Sequence, residues 1–252
     1  MGYNTQAEFM LMFIGLFVIL VVGVILRHTL KKRSEVVRHI PLMVLAALIL
    51  LLEITKQVYH IANGDWRTWY IPLHFCSYFL VWYAVALFTR GNIRQIAYAC
   101  SLVGGITVTV LLFAAPRMIL FSALNNIWDT FNHFHTYFYH MGVVAYWIWM
   151  LMLNVYHPKR KHIYQVVILH LVLFFATIIG AHVFHENYTN VLNSENIAVV
   201  EHFRLSAGQF PYTVALLFVG VAVITIVSCA TYFVLKKLYR RNLNQDELRI
   251  EN

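Results

Sequence analysis

Seven stretches of about 20 mostly apolar residues fill this chain, and no other feature limits its fold as strongly. They run Phe9–Leu26, Ile40–Ala62, Tyr70–Thr89, Ile96–Ala115, His135–Val155, Ile163–Phe184 and Tyr212–Leu235. Inside a bilayer every backbone polar group must be satisfied within the segment, which leaves helices as the solution for single runs of this length. The sequence therefore predicts an all-α polytopic membrane protein with seven transmembrane helices, residues 1–252 forming one seven-helix transmembrane domain. Little polar sequence is left for anything else: hydrophobic residues are 60% of the chain and charged residues 12%, about half the usual charged fraction. Disordered, collagen-like and disulfide-scaffold classes are excluded on the same ground. The first run lacks a basic stretch before it and a small-residue cleavage site after it, so it is expected to span rather than to act as a signal peptide.

The net charge of +8 is sorted between alternate connections. Arg27, Lys31, Lys32, Arg33 and Arg38 follow the first run, Arg90 and Arg94 the third, and Lys159, Arg160 and Lys161 the fifth. Lys236, Lys237, Arg240, Arg241 and Arg249 follow the last. Only Lys56, Arg67, Arg117 and Arg204 of the 19 basic residues fall elsewhere. The positive-inside bias then puts the N-terminus outside and the C-terminus in the cytoplasm of a multi-pass cell-membrane protein. The basic surplus reads as a topology and lipid signal, with membrane lipids as partners and no nucleic acid; oligomeric state is not legible. The two longest connections, Pro116–Phe134 and His185–Pro211, fall on the outer side with Asp129, Glu186, Glu195 and Glu201.

Ionisable groups within a membrane are costly and mark function by default. Here they gather at one outward level. At 1.5 Å per residue, Cys76 lies about 9 Å and His140 about 8 Å along their runs. Glu53 and Lys56 occupy the outer half of the second run and His182 the outer end of the sixth. Glu53 and Lys56 are three apart, on one helix face, where they can neutralise each other; that pair either makes a buried charge tolerable or orients a catalytic group.

Cys76 is expected to be a free thiol, because Cys100 and Cys229 fall in the opposite halves of their runs, beyond disulfide reach. A free thiol in a membrane helix packs as a small apolar residue, or, with an imidazole such as His74 nearby, serves as a nucleophile. Phe131-Asn-His-Phe-His-Thr-Tyr-Phe-Tyr-His140 places His133 and His140 on one helical face and His135 on another. Metal ligation competes with a catalytic role, but the spacing lacks the i, i+4 pair and intervening carboxylate of a zinc helix, and no metal is expected.

Trp69-Tyr-Ile-Pro-Leu-His-Phe-Cys76, the histidine-rich start of the fifth run, Asn187-Tyr188 and Gly208-Gln-Phe-Pro-Tyr212 occur in that order. Together they resemble the bacterial YwaF-like integral membrane proteins, a family that looks related to the eukaryotic seven-span acyltransferase remodelling ether phospholipids. The resemblance runs from about Glu53 to the seventh run. It implies a cysteine–histidine catalytic pair: Cys76 with His135 or His133, and His140 matching a further family histidine. Met141 stands before Gly142 where the family has glycine directly after that histidine, and Phe210 replaces a tryptophan.

The expectation is thus a membrane-embedded lipid acyl-transfer enzyme, a phospholipid transacylase or hydrolase, with its site near the outer leaflet. Glu53, Lys56, His74, His182 and Asn187 would bind substrate or orient the histidine. A phospholipid would supply the acyl group, so no soluble cofactor is expected. The alternative is a small-molecule transporter or substrate-binding component with an outward polar pocket, although the sequence lacks paired interrupted helices in corresponding halves.

Overall fold

Apolar runs of this length fold as long helices close to their expected limits, even where glycines such as Gly23 or Gly104 lie inside them. In the computed structural model, which describes residues 6–124, 126–194 and 197–250 (121, 122 and 239–250 by their backbone alone), the helices are α1 (Gln6–Leu30), α2 (Glu35–Ala62), α3 (Tyr78–Phe88), α4 (Gly91–Ala114), α5 (Pro116–Leu120), α6 (Phe131–Met152), α7 (Lys161–Phe184), α8 (Ala198–Ala207) and α9 (Gln209–Ile250). Glu195, counted above with the outer acidic residues, lies outside the described set. Among the described residues five helices are long and apolar enough to cross a membrane: α1, α2, α4, α7 and Gln209–Leu238 of α9. Their outward faces carry Phe17, Leu48, Val110, Val172 and Ile226, all exposed, as helices solvated by lipid require.

The other two runs differ from the expected spans, for separate physical reasons. The third begins as a loop. Pro72 has no N–H to donate and disfavours helical torsions in the residue before it; Ile71 is extended at φ −62°, ψ 131°, and so is His74 at φ −72°, ψ 151°. Helix α3 starts only at Tyr78, and the expected depth of Cys76 along a continuous span is replaced by a place in a 3₁₀ turn, Phe75–Ser77, at the head of α3. The fifth run is helical, as α6, and starts at Phe131 instead of His135. It is long enough to cross but too rich in His and Tyr to count as a lipid-facing span. It packs against α1, α2 and α4 and buries residues around its whole circumference, His135, Tyr139, His140 and Tyr146 among them.

The chain ends of these helices sort the charges. Arg38 of α2 donates to the Leu153 and Asn154 carbonyls at the end of α6, and Gln95 of α4 to the Val155 carbonyl, so the connections holding Arg27–Arg38, Arg90–Arg94 and Lys159–Lys161 share one end of the bundle. At the other end His60 meets Asn132, Thr68 meets Glu186 and Arg117 pairs with the buried Glu8.

Small residues let α1 approach α6 closely, the usual device where lipid offers no hydrophobic drive. A Cβ on Gly23 would lie 2.4 Å from Met152 Sδ and 3.0 Å from Trp149 Cδ1. Between the contacts, Trp149 Nε1 donates to the Ile19 carbonyl at 2.9 Å and Tyr137 donates to the Leu11 carbonyl at 3.1 Å. Gly23→Leu should therefore cost about 1–3 kcal/mol, the range for an overfilled packed interface, read as a lower unfolding midpoint in detergent. An unchanged midpoint would mean that α1 is not seated on α6 in this way.

Candidate functional site

The loop from Asn63 to Ser77 is fixed by its neighbours, and that fixes Cys76. The Phe75 N–H donates to Thr189 Oγ1 at 2.9 Å, and Tyr139 of α6 donates to the Cys76 carbonyl at 2.8 Å. Thr177 of α7 donates to the Leu73 carbonyl at 2.7 Å and so receives the Tyr78 hydroxyl at 2.6 Å. On the α2 side, the Gln57 amide donates to the Tyr70 carbonyl at 2.6 Å and to Glu53 Oε1 at 2.8 Å. The turn is thereby held between α2, α6, α7 and the 3₁₀ turn Tyr188–Asn190.

Glu53 is the hub of the charges beside it. Lys56 Nζ lies 2.6 Å from Oε1, as the three-residue spacing requires, and His135 Nε2 of α6 lies 3.1 Å from Oε2. The His135 contact is close enough to pair charges but is not aligned as a hydrogen bond. Glu53 and His135 are buried, with Lys56 half-buried. The Cys76 thiol lies within electrostatic reach of both Lys56 and Glu53, and His140 within reach of His135, Lys56 and His74. Three elements that the sequence placed at one level, α2, the Cys76 turn and α6, thus converge in space.

His140 differs from His135 in a way that matters for proton transfer. Its Nδ1 faces the Thr136 carbonyl at 2.7 Å. A carbonyl only accepts, so Nδ1 carries the hydrogen and, in the neutral ring, Nε2 keeps its lone pair. That Nε2 is buried without a hydrogen-bond partner, as is Nε2 of His74. Among the described residues no group of three His, Cys, Asp or Glu side chains is placed to hold a metal ion.

Not every candidate comes to this place. His133 heads α6, its N–H capped by Thr130 and its ring toward the Asn126 carbonyl at 3.2 Å and Asp129 at 3.8 Å. His182 is exposed on α7. Asn187 folds its own loop, accepting from the Leu192 and Asn193 N–H groups and donating to Asn193.

Conversely, His60 was not singled out in the sequence although it shares the face of Glu53 and Gln57. It is 1% exposed, between Asp65 Oδ1 at 2.9 Å and Asn132 Oδ1 at 2.7 Å, with its ring stacked on Tyr70 at 3.9 Å. Spacing of three and seven from Gln57 and Glu53 is the signal that would have found it. Beside the turn, a cavity of about 250 Å³ opens between α4, α7 and α9, lined by Phe75, Tyr78, Thr189, Leu216 and Gly220 and almost wholly apolar.

The outer loop that supports the turn is set by polar contacts. Tyr188 donates to the Thr68 carbonyl and Tyr212 to the Asn190 carbonyl; burial, and then Glu186, push the Tyr188 hydroxyl up to about 12, so it remains a donor. Glu201 pairs with Arg204 and accepts from the Ser194 N–H at 2.8 Å, and these bonds, the Arg204 one first, hold its carboxyl down at about 2. A lowered carboxyl stabilises the fold above its unfolded value near 4.5 and loses that contribution as pH falls toward 2. Protection of the Ser194 amide relative to its intrinsic exchange rate should accordingly fall between pH 4.5 and 2, and Glu201→Gln should remove that acid step; a step that persists would place its origin elsewhere.

A family model, that of the TMEM164 family, matches residues 2–232 of the chain. No curated protein and no solved structure matches it.

Proposed function

This chain belongs to the TMEM164 family, and from that premise we propose a membrane-embedded acyl transferase that moves an acyl chain from a phospholipid to a lysolipid through Cys76. The observation that carries this reading is the convergence of the Cys76 turn with His74, His135, His140 and the Glu53–Lys56 pair. The resemblance to YwaF-like proteins and the ether-phospholipid acyltransferase points the same way. So does the sorting of basic residues to the opposite end of the bundle, which orients the site toward the outer leaflet and away from cytoplasmic thioester donors.

In this mechanism His140 Nε2, the lone pair left by the bond to Thr136, takes the Cys76 proton. The thiolate attacks the donor ester carbonyl, the S–C bond forms and the C–O bond breaks. The lysophospholipid leaves as its alcohol with the proton returned from His140. A second lysolipid then gives its hydroxyl proton to His140 and attacks the thioester; the C–S bond breaks and Cys76 regains its proton. Water in place of the lysolipid makes the same site a hydrolase. The two enzyme nucleophile–base groups are not hydrogen-bonded at rest, so substrate binding aligns them. His135 is held by Glu53, whose second oxygen is held by Lys56 and Gln57; this chain positions α6 against the turn. The apolar cavity beside Phe75 offers the acyl chain a place to lie.

The test is transfer itself. Purified protein in liposomes, given a phospholipid with a tagged acyl chain and an untagged lysophospholipid, should pass the tag to the lysolipid and carry a hydroxylamine-labile tag in between. Neither transfer, hydrolysis nor adduct under any lipid composition would refute the reading, and reversible binding of a small solute instead would favour transport.

A further inference from the structure

We propose that the basic end of the bundle contains a binding site for the headgroup of an anionic phospholipid, separate from the Cys76 site and independent of the reading given for it. The ends of α1 and α6, the Leu235–Leu238 turn of α9 and the first turn of α2 enclose a cavity of about 480 Å³ there. Arg27, Lys31 and Arg38 line it together with Leu151, Met152, Leu235 and Leu238, and no carboxylate lies among the lining residues. Glu35, at the head of α2, faces His39 at 3.4 Å and His157 at 3.8 Å instead.

Arg38 is held in place for this. Its Nη1 donates to the Leu153 carbonyl at 3.0 Å and the Asn154 carbonyl at 3.2 Å, which fixes the guanidinium at the end of α6. Its Nε is buried with no hydrogen-bond partner, a donor whose desolvation is uncompensated until an acceptor arrives. A fixed guanidinium with free donors matches the geometry of a phosphate, and two more cations on α1 add charge complementarity.

The apolar lining decides which phosphate. Leu151, Met152, Leu235 and Leu238 share the cavity with the cations, and Val24 and Ile25 on α1 and Val234 on α9 are exposed on the helices that form it, so a ligand with hydrocarbon beside its phosphate is stabilised on both counts, whereas inorganic phosphate meets the cations alone. Basic pockets between spans on the side that carries the positive loops recognise anionic lipid in this way. Occupancy would tie α1, α2, α6 and α9 together at the end opposite the reactive turn.

The full chain in detergent, analysed by native mass spectrometry, should retain phosphatidylglycerol at least about tenfold better than phosphatidylcholine of the same chains. Arg27→Gln with Lys31→Gln should bring phosphatidylglycerol retention down to the phosphatidylcholine level. Lys32→Gln with Arg33→Gln, on the same connection but outside the cavity, should keep the preference. Inorganic phosphate at equal concentration should not displace the lipid. The proposal is overturned if the parent shows no preference, if both double variants lose it alike and the effect is general surface charge, or if free phosphate competes as well as the lipid does. Retained helicity in the Arg27→Gln, Lys31→Gln protein confirms that a loss of lipid is not a loss of fold.

Discussion

Replacing Cys76 with alanine should abolish the acyl-protein adduct and lower transfer by roughly 10³-fold or more, the scale of removing a covalent nucleophile. Cys100→Ala and Cys229→Ala should leave both unchanged. All three thiols are free, but Cys100 is fully buried in α4 and Cys229 lies on α9, away from the charged cluster, so neither has a base or a partner charge to work with. Cys76→Ser should lose the hydroxylamine-labile bond and can accumulate a slower oxyester. The histidines then separate by role. His140→Gln should lower adduct formation by about 10² to 10⁴-fold, the usual worth of a general base, with the pH dependence of the rate flattened. His135→Gln should reduce the rate less and leave the pH profile in place, because that ring acts through Glu53 and the seating of α6. A full rate with Cys76→Ala would sink the nucleophile assignment, and equal losses with unchanged pH profiles for the two histidines would sink the choice of His140.

How much of this was legible beforehand depends on what each signal measures. Hydropathy reads how apolar a segment is, and it located α1, α2, α4, α7 and α9 because those helices present Val, Leu, Ile and Phe to lipid along their length. It does not read what a segment touches. The His135–Val155 run reads as a span like the others, whereas the His and Tyr side chains of α6 are buried by protein on several sides. Tyr70–Thr89 looks like a continuous span because Tyr70, Ile71, Leu73 and Phe75 are apolar; Pro72 marked the break, and the local rule about proline outweighs the average over the window. The candidate site was legible as a set of polar residues at one level, since charge in a membrane is too costly to be scattered. The partners of those residues were not. Nothing in spacing along the chain tells which of three histidines meets Glu53, because that depends on the rotation of α6 against α2. His133 falls in the first turn of α6 because the helix starts at Phe131 after the Thr130 cap, and His182 lies on the exposed face of α7.

Glu53→Ala should be the most destabilising single change at this site, by about 3–5 kcal/mol. Its carboxylate is 10% exposed and Lys56 14% exposed, so removing the acid leaves an ammonium without its counter-charge and cuts the Gln57 and His135 contacts at the same time. For a chain of this size that loss lowers the unfolding midpoint by roughly 6–20 °C. Lys56→Met should cost less, since Glu53 keeps Gln57 and His135. The informative variant is the double one. Glu53→Gln with Lys56→Met removes both charges, keeps an amide oxygen for Gln57, and replaces the ammonium with a side chain of similar length; it should recover most of the stability, because a buried pair contributes little net energy while half of one is expensive. Catalysis should not recover with it. If Glu53 fixes His135 by charge, the double variant folds like the parent yet transfers slowly, and Glu53→Asp, which keeps the charge on a shorter arm, returns part of the rate. Should the double variant remain as unstable as Glu53→Ala, Lys56 is not the partner that makes Glu53 tolerable, and the stabilising contact is the one to His135. Should it be both stable and fully active, the pair serves packing alone and the base acts without it.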